Sequence, residues 1–358
     1  MVEKKDWTVI MYIAEEDQNL LSSFFYGIQE ASKYMIYSNI NVCILHRSPE
    51  LYGAFLVNLK GNGSECTVEM NRLKDEIDFH SSNVLSQFIS ECKQNFPAER
   101  YLFLINCHSN GWYMKQASVD TRIKSYPALF QKVFEKNETF DFILFNSCFC
   151  STIELAYEFR NTTPYLIGCE SVGPIYPMWN QTLFYTLSRS KRDNLSDEYI
   201  GKSICNEFIY SMNRLKPILV DKKLNAASDI SFLDLRYIQP FIESIDVSGA
   251  TAKVLQQTRI KPDRALKEGN VYYVVFDLME TILLSRGSTR EIKDIFSKLV
   301  VFYLQTDTLK EKEWSNRLHG LGYCPCPYMN KENGYTYKHL EIYGYAERLL
   351  SKECESLK

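Results

Sequence analysis

The chain has 358 residues, of which 45% are apolar, and its 41 basic and 44 acidic residues give a formal net charge of −3. This apolar fraction is ordinary for a globular protein and excludes wholesale disorder, while the scattered basic residues exclude an electrostatic footprint for nucleic acid. Eleven cysteines, an odd number in a long chain, favour reduced thiols over a disulfide framework.

The N-terminus is charged and runs directly into a predicted strand, without the apolar stretch and cleavage site of a signal peptide. No run approaches the ~20 apolar residues needed to span a bilayer. We therefore expect a cytoplasmic protein with no membrane partner, or a secreted one if a leader peptide has been removed.

Apolar runs alternate with segments of helical periodicity along the first half of the chain. Continuous apolar runs are typical of strands buried on both faces, and glycines on either side of Asn62 predict a hairpin turn. The predicted elements are strands at 7–14 and 39–45, a hairpin of 53–59 with 66–70, a helix capped by Ser81 and reaching about residue 96, a strand at 101–107, a helix near 127–135, a strand at 142–145, a helix ending at 160 and a strand at 165–169.

Strands that alternate with helices predict βαβ units, and therefore an α/β fold with a central, mostly parallel sheet flanked by helices. From about residue 193 the pattern is mostly helical, with strand-like segments at 229–233 and 320–324. We predict a core at residues 1–193 and a C-terminal region at 194–358, mainly helical with a few strands and packed on that core.

Two loops carry the residues best suited to chemistry. His108 and Ser109 follow the strand at 101–107, and Cys148 follows the strand at 142–145. Because ligands bind at the carboxyl ends of the strands in open α/β sheets, a thiol and an imidazole there can share a pocket. The imidazole can activate the thiol or protonate a leaving amine, and the backbone amides of Ser109 and Cys148 can stabilise an oxyanion. A helix directly after Cys148 would favour the thiolate.

Other interpretations of these residues remain open. A buried cysteine is more often a small apolar side chain than a nucleophile. A zinc site formed by Cys107, His108, Cys148 and Cys150 is disfavoured, because adjacent residues at a strand end point to opposite faces and no C-x-x-C pair is present. We therefore predict no metal site. No glycine loop of a nucleotide-binding type occurs either, so a nucleotide-dependent enzyme has no support in the sequence.

The segments around both loops resemble the clostripain-like cysteine peptidases of the caspase-like clan. The sequence WTVIMYIA at 7–14 resembles the first strand of that family, and FPAERY at 96–101 leads to HSNGW at 108–112, where the family has Asp-His-Gly-Ser-Gly-Trp. The sequence DFILFNSC at 141–148 is similar to the strand that ends in the family's Asp-Ala-Cys. The resemblance covers most of the chain, with its specific motifs between residues 7 and 180.

This resemblance implies a caspase-like sandwich in which His108 and Cys148 form a catalytic dyad that hydrolyses peptide bonds. A peptide or protein would be the substrate, and no cofactor would be required. Several family members cleave themselves between the two catalytic strands. Here that segment offers Lys115, Arg122 and Lys124.

Four positions depart from the family pattern. The family's acidic residue two positions before the nucleophile is Asn146 here, and a second acidic residue aligns approximately with Tyr176. A substrate cation buried without a carboxylate partner costs roughly several kcal/mol, so we expect the family's preference for Arg or Lys to be weakened or lost. Ser109 replaces a glycine, and Cys107 replaces an acidic residue. The predicted substrate pocket consists of Asn146, Glu170 and the stretch from Gly173 to Trp179, with Tyr176 and Trp179 as its main side chains.

These departures keep two alternatives open. One is a binding module that retains the peptidase fold but has lost turnover. The other is an acyl-transfer enzyme, such as a ligase or an amidase, that uses the same dyad.

Overall fold

The computed structural model describes residues 4–14, 28–29, 32–33, 39–48, 53–61, 65–73, 77–114, 124–173, 181–221, 225–260, 275–285, 289–324 and 340–351. Its strands are β1 (Lys5–Ile13), β2 (Ile40–Ser48), β3 (Gly53–Gly61), β4 (Cys66–Arg72), β5 (Ala98–Asn106), β6 (Ser109–Asn110), β7 (Tyr113–Met114), β8 (Lys124–Ser125), β9 (Phe142–Asn146), β10 (Tyr165–Gly168), β11 (Asp229–Asp234), β12 (Phe276–Asp277), β13 (Val300–Gln305) and β14 (Gly322–Tyr323).

The helices lie between these strands and after them. They are α1 (Ser82–Asn95), α2 (Tyr126–Glu135), α3 (Ile153–Phe159), α4 (Gln181–Ser190), α5 (Asp197–Asp221), α6 (Ile238–Ser244), α7 (Ala252–Thr258), α8 (Leu278–Ser285), α9 (Arg290–Leu299), α10 (Asp307–Lys310) and α11 (Ala346–Leu349). In the described part of the chain, none of the helices is long and apolar enough to cross a membrane.

A nine-stranded sheet organises the described residues, in the order β13-β11-β10-β9-β5-β1-β2-β3-β4. The five central strands, β10 to β2 in that order, are parallel to their neighbours. Two antiparallel strands extend the sheet at each edge. The predicted hairpin is confirmed as β3 and β4. The sheet therefore has the parallel centre that the alternating sequence pattern predicts.

Apolar side chains on both faces of the sheet are buried, which explains why the central strands are continuous apolar runs. In β1, Ile10 and Tyr12 belong to one core cluster, together with residues of α1 and α2. The alternate residues Val9 and Met11 belong to a second cluster, together with residues of α4 and α5. Because successive side chains of a strand point to opposite faces, this alternation places helices on both sides of the sheet.

The sequence interpretation missed β13, which begins at Val300 directly after Leu299 ends α9. No turn residue separates the two elements, so the apolar pattern is indistinguishable from a continuing helix. Every residue of β13 is only partly buried, as expected at the edge of a sheet. Strands β11 and β13 both come from the C-terminal region and pair within the main sheet. A domain boundary at residue 193 stays a prediction.

Candidate active site

The two loops singled out in the sequence leave neighbouring parallel strands at the same level. Asn106 ends β5 and pairs with Asn146, which ends β9. Nδ2 of Asn146 donates a hydrogen bond of 2.6 Å to Oδ1 of Asn106. His108 and Cys148 each follow two residues later. Since parallel strands in register deliver the residues that follow them to the same edge, both lie on one rim of the sheet.

Direct hydrogen bonds join the two loops. The backbone N–H of Cys107 donates to Oγ of Ser147 over 3.4 Å, and Oγ of Ser109 donates to the backbone carbonyl of Cys148 over 2.7 Å. His108 lies between these two contacts in sequence and is exposed, while Cys148 is half-buried. The loops are therefore one connected unit.

A buried polar network lies beneath the loops. The hydroxyl of Tyr126 donates to Oγ of Ser147 over 2.9 Å and lies 3.0 Å from Sγ of Cys107. Oγ of Ser109 lies 3.3 Å from Sγ of Cys150. Burial raises the pKa of Tyr126 well above its ordinary value, so its hydroxyl keeps its proton and can continue to donate. The network fixes the backbone of both loops from below.

Sequence reasoning missed Tyr126. It is the first residue of α2, a helix that Ser125 caps by accepting a hydrogen bond from the N–H of Ala128. The cap explains where the helix begins. It gives no signal that the aromatic side chain reaches back to loops on two other strands, because that contact depends on the long-range packing of α2.

The thiol of Cys148 has one amide donor that sequence reasoning did not identify. Burial raises the pKa of Cys148, and a backbone hydrogen bond from Gly173 acts in the opposite direction by stabilising the thiolate. Gly173 packs closely on the loop, since a Cβ added to it would lie 2.6 Å from the carbonyl carbon of Ser147. A raised pKa means that the thiol needs a base to ionise it at neutral pH.

The expectation that a helix directly after Cys148 favours the thiolate is wrong. Helix α3 begins at Ile153, with Thr152 as its N-cap. Between them Phe149 adopts a left-handed conformation with φ of 57°. This turn separates the thiol from the helix, and the effect of a helix terminus falls off within one turn.

Two residues of the predicted pocket are described and buried. Asn146 is 4% exposed, and its neutral amide is hydrogen-bonded to Asn106. Glu170 is fully buried, and its carboxyl accepts the backbone N–H of Gly320 over 2.7 Å. Burial and the neighbouring carboxylate of Asp277 raise the pKa of Glu170 well above its ordinary value. In this structure Glu170 therefore faces the C-terminal region, and its surroundings favour the neutral form of its carboxyl.

The remaining predicted site residues are not described. Tyr176 and Trp179 of the pocket lie outside the described residues, and so do Lys115 and Arg122 of the predicted self-cleavage segment. Lys124 begins the short strand β8, but its side chain is also outside them. Among the described residues, no group of three or more His, Cys, Asp or Glu side chains is arranged to hold a metal ion.

Comparison with known families identifies the relatives of this chain. The model of the clostripain family matches residues 28–311, well over half of the sequence and including both loops. The chain belongs to the clostripain family. The resemblance inferred from the loop motifs is therefore confirmed, and the chain is a member of a family of cysteine peptidases.

Solved structures confirm the fold of this clostripain-family chain. A secreted C11 cysteine protease from Bacteroides thetaiotaomicron, in complex with an irreversible peptide inhibitor, aligns with a TM-score of 0.70 at 16% identity, over 96% of this chain and 99% of that one. An inactive zymogen C11 protease from Parabacteroides distasonis aligns with a TM-score of 0.65 at 19% identity, over 97% and 99%. Comparison with curated protein sequences gives no match. At these identities the structures support the fold alone.

Proposed function

We propose that this chain is a cysteine endopeptidase in which Cys148 is the nucleophile and His108 is the general acid and base. The observation that carries the proposal is the register of β5 and β9, which brings the two loops to one rim and into hydrogen-bond contact. Family membership supports peptides or proteins as the substrates.

The protonation state of the half-buried Cys148 thiol determines the first chemical step. Because burial raises the pKa of Cys148, the thiol is protonated at rest and His108 must accept its proton as the sulfur attacks the carbonyl carbon. The carbonyl π electrons move to the oxygen, and in this proposal the backbone N–H groups of Ser109 and Cys148 stabilise that oxyanion.

The intermediate then collapses in two stages. His108 returns the proton to the leaving amine, the carbon–nitrogen bond breaks, and an acyl thioester with Cys148 remains. Water attacks this thioester with His108 as the base, which releases the carboxylic acid and regenerates the thiol. The Ser109–Cys148 hydrogen bond holds the nucleophile's own carbonyl group in place throughout these steps.

A neutral residue at position 146 supports weakened specificity for Arg or Lys. The amide of Asn146 carries no charge and is already hydrogen-bonded to Asn106. A buried cation next to it would lack the charged partner that offsets desolvation. We therefore propose that substrates with a neutral residue before the scissile bond are cleaved at least as well as basic ones.

The two alternatives make different predictions. A binding module without turnover would bind peptides and leave them intact. A ligase or amidase would form the same thioester but pass the acyl group to an amine or act on a smaller amide. Product masses in the presence of an added amine nucleophile separate transfer from hydrolysis.

The test of the dyad is a double-mutant comparison on a denatured protein substrate. We expect His108→Ala and Cys148→Ala each to lower the cleavage rate by roughly 10³-fold or more, and the double variant to cleave no more slowly than the slower single variant, because residues that act as a unit are non-additive. Cys66→Ala is the matched control, since Cys66 is also partly exposed but lies in β4 at the far edge of the sheet. Full cleavage by Cys148→Ala would refute the proposal.

A further inference from the structure

A buried carboxylate outside the two loops contacts a segment that flanks the nucleophile. Asp229 begins β11 and is fully buried. Its carboxylate accepts the backbone N–H groups of Glu170 and Ser171, each over 2.9 Å, and also the hydroxyl of Ser171. All three donors belong to residues 169–173, which we call the flanking segment. The carboxylate of Asp229 thus holds this short stretch of backbone.

The flanking segment contacts the nucleophile's loop at three points. The N–H of Phe149 donates to the carbonyl of Ser171 over 2.8 Å, and the N–H of Ser151 donates to the carbonyl of Cys169 over 2.8 Å. Gly173 packs on the same loop, where a Cβ added to it would lie 2.9 Å from the backbone N of Cys148, and its N–H opposes the rise in the pKa of the Cys148 thiol as a backbone hydrogen-bond donor. A single segment therefore links the Asp229 carboxylate to the nucleophile's loop, and its position fixes the amide of Gly173, which stabilises the thiolate.

A buried aspartate can also serve the fold alone, and the same strand contains an example. Asp234 ends β11 and is 5% exposed. It accepts hydrogen bonds from the backbone N–H and the guanidinium group of Arg236, where it caps a short 3-10 helix. These contacts lie within two residues of Asp234. The contacts of Asp234 are therefore purely local. Asp229 differs, because it accepts hydrogen bonds from residues that lie 58 and 59 positions away in the sequence.

We propose that Asp229 is a positioning residue for Cys148, which acts by holding the flanking segment so that the N–H of Gly173 points at the nucleophilic sulfur. The proposal rests on the proposed function only in treating Cys148 as the nucleophile. It adds a residue from the C-terminal region to the machinery that sets the reactivity of this thiol.

The electrostatic surroundings of Asp229 define the pH at which the test must be made. The groups that face it are the carboxyl of Glu170, the thiol of Cys169 and the phenol of Tyr303. Burial raises the pKa of Asp229 to about 6, and the hydrogen bonds from Ser171 and Glu170 act against that rise. At pH 7.5 the carboxylate is therefore ionised and accepts all three hydrogen bonds.

The experiment measures alkylation of Cys148 by iodoacetamide from pH 6.5 to 10, with the modified peptide quantified by mass spectrometry. Asp229→Asn preserves volume but turns an amide NH2 group, itself a donor, toward the backbone N–H of Glu170 or of Ser171. We expect alkylation at pH 7.5 to slow about tenfold and the midpoint of the pH profile to rise by about one unit, because the thiolate loses its amide donor. Asp234→Asn, the matched control, should match the wild type within about twofold.

The direction of the change separates positioning from a simple charge effect. Removing a nearby negative charge would by itself favour the thiolate, so it would speed alkylation and lower the midpoint. That result, or no change, would overturn the proposal. If Asp229→Asn does not fold, Ser171→Ala removes only the hydroxyl donor, and we expect a smaller change of the same sign. An unchanged Ser171→Ala profile would then count against the proposal.

Peptide cleavage is measured on the same samples so that the two proposals can fail separately. Normal cleavage by Asp229→Asn with unchanged alkylation would refute the role of Asp229 and leave the peptidase intact. An alkylation profile of Asp229→Asn that is shifted from that of the wild type, together with a wild type that cuts no peptide, would support the role of Asp229 and refute the proposed function.

Discussion

Asn106 and Asn146 lie opposite each other at the ends of two parallel strands, and their side chains share a hydrogen bond of 2.6 Å. His108 and Cys148 each follow two residues after this pair and lie on the same rim of the sheet. It also places a neutral, already bonded amide where many members of the family are expected to carry an acidic side chain. In the proposed mechanism, one contact thus bears on both the chemistry and the specificity of the site.

Restoring the acidic residue is expected to restore basic specificity. In Asn146→Asp the new carboxylate can accept from the amide of Asn106 if that amide turns by 180°. We predict that kcat/KM for substrates with Arg or Lys before the scissile bond rises about tenfold or more relative to neutral substrates, since a desolvated charge pair replaces an unpaired cation. Asn146→Ala, which removes the amide without adding charge, should show no such gain. A wild type that already prefers Arg or Lys would contradict this account of the pocket.

Gly173 is expected to tolerate no side chain. A Cβ there would lie 2.6 Å from the carbonyl carbon of Ser147 and 2.9 Å from the N of Cys148, both backbone atoms that cannot move aside cheaply. We predict that Gly173→Ala lowers the free energy of unfolding by ~1–3 kcal/mol and slows alkylation of Cys148. Gly344→Ala is the control, because a Cβ at Gly344 meets nothing within 4 Å. Urea titration of both variants would measure the difference, and equal stability would contradict the packing argument.

Removing the hydroxyl of Tyr126 tests the network beneath the loops. Tyr126→Phe loses the hydrogen bond to Ser147 and the contact with Cys107 while it keeps the ring. We expect the free energy of unfolding to fall by about 1–2 kcal/mol, because buried polar partners lose their donor. The same substitution at Tyr199, which is 56% exposed, should change stability by less than about 0.5 kcal/mol. Thermal and urea unfolding of both variants provide the measurement. An unfolding free energy of Tyr126→Phe equal to that of the wild type would contradict a supporting role for the hydroxyl.

Acid should weaken the fold through His46. This side chain is 2% exposed at the end of β2, and burial lowers its pKa to about 4 from an ordinary value of 6.5. The neutral form is favoured in the folded state, so its stabilising contribution is complete above pH 6.5 and is lost as the pH falls toward 4. The loss amounts to about 3 kcal/mol at most.

The variant His46→Phe should lack this part of the pH dependence. The difference in unfolding free energy between wild type and variant, measured in urea at several values between pH 7 and pH 4, should shrink or reverse on acidification. Parallel curves across that range would show that His46 does not titrate as the structure implies.

The centre of the fold could be predicted because its signals are local. Strands buried on both faces must be apolar throughout, which marks β1, β5 and β9 in the sequence, and the residues that follow such strands lie at the ligand-binding edge. That reasoning leads to His108 and Cys148 without any structural information. Strand β13 was not predicted from the sequence, because it follows α9 without an intervening turn residue.

The groups around the proposed nucleophile, Cys148, could not be predicted because they act over long sequence distances. Tyr126 reaches the loops from α2, Gly173 supplies an amide from beyond β10, and Asp229 holds that segment from β11. Each of these residues has an ordinary local pattern. Only the packing of the sheet and helices reveals their common target.

The central claim is that Cys148 makes this chain a peptidase, and cleavage of a broad peptide library by the wild type and by Cys148→Ala tests it most directly. The account predicts new peptide ends in the wild-type digest, with neutral residues well represented before the cut, and none in the Cys148→Ala digest. Following the chain itself on a gel shows whether the segment that contains Lys115 and Arg122 is also cut. An intact library in both digests, with a Cys148 that does not react with iodoacetamide, would contradict the claim and support a binding module.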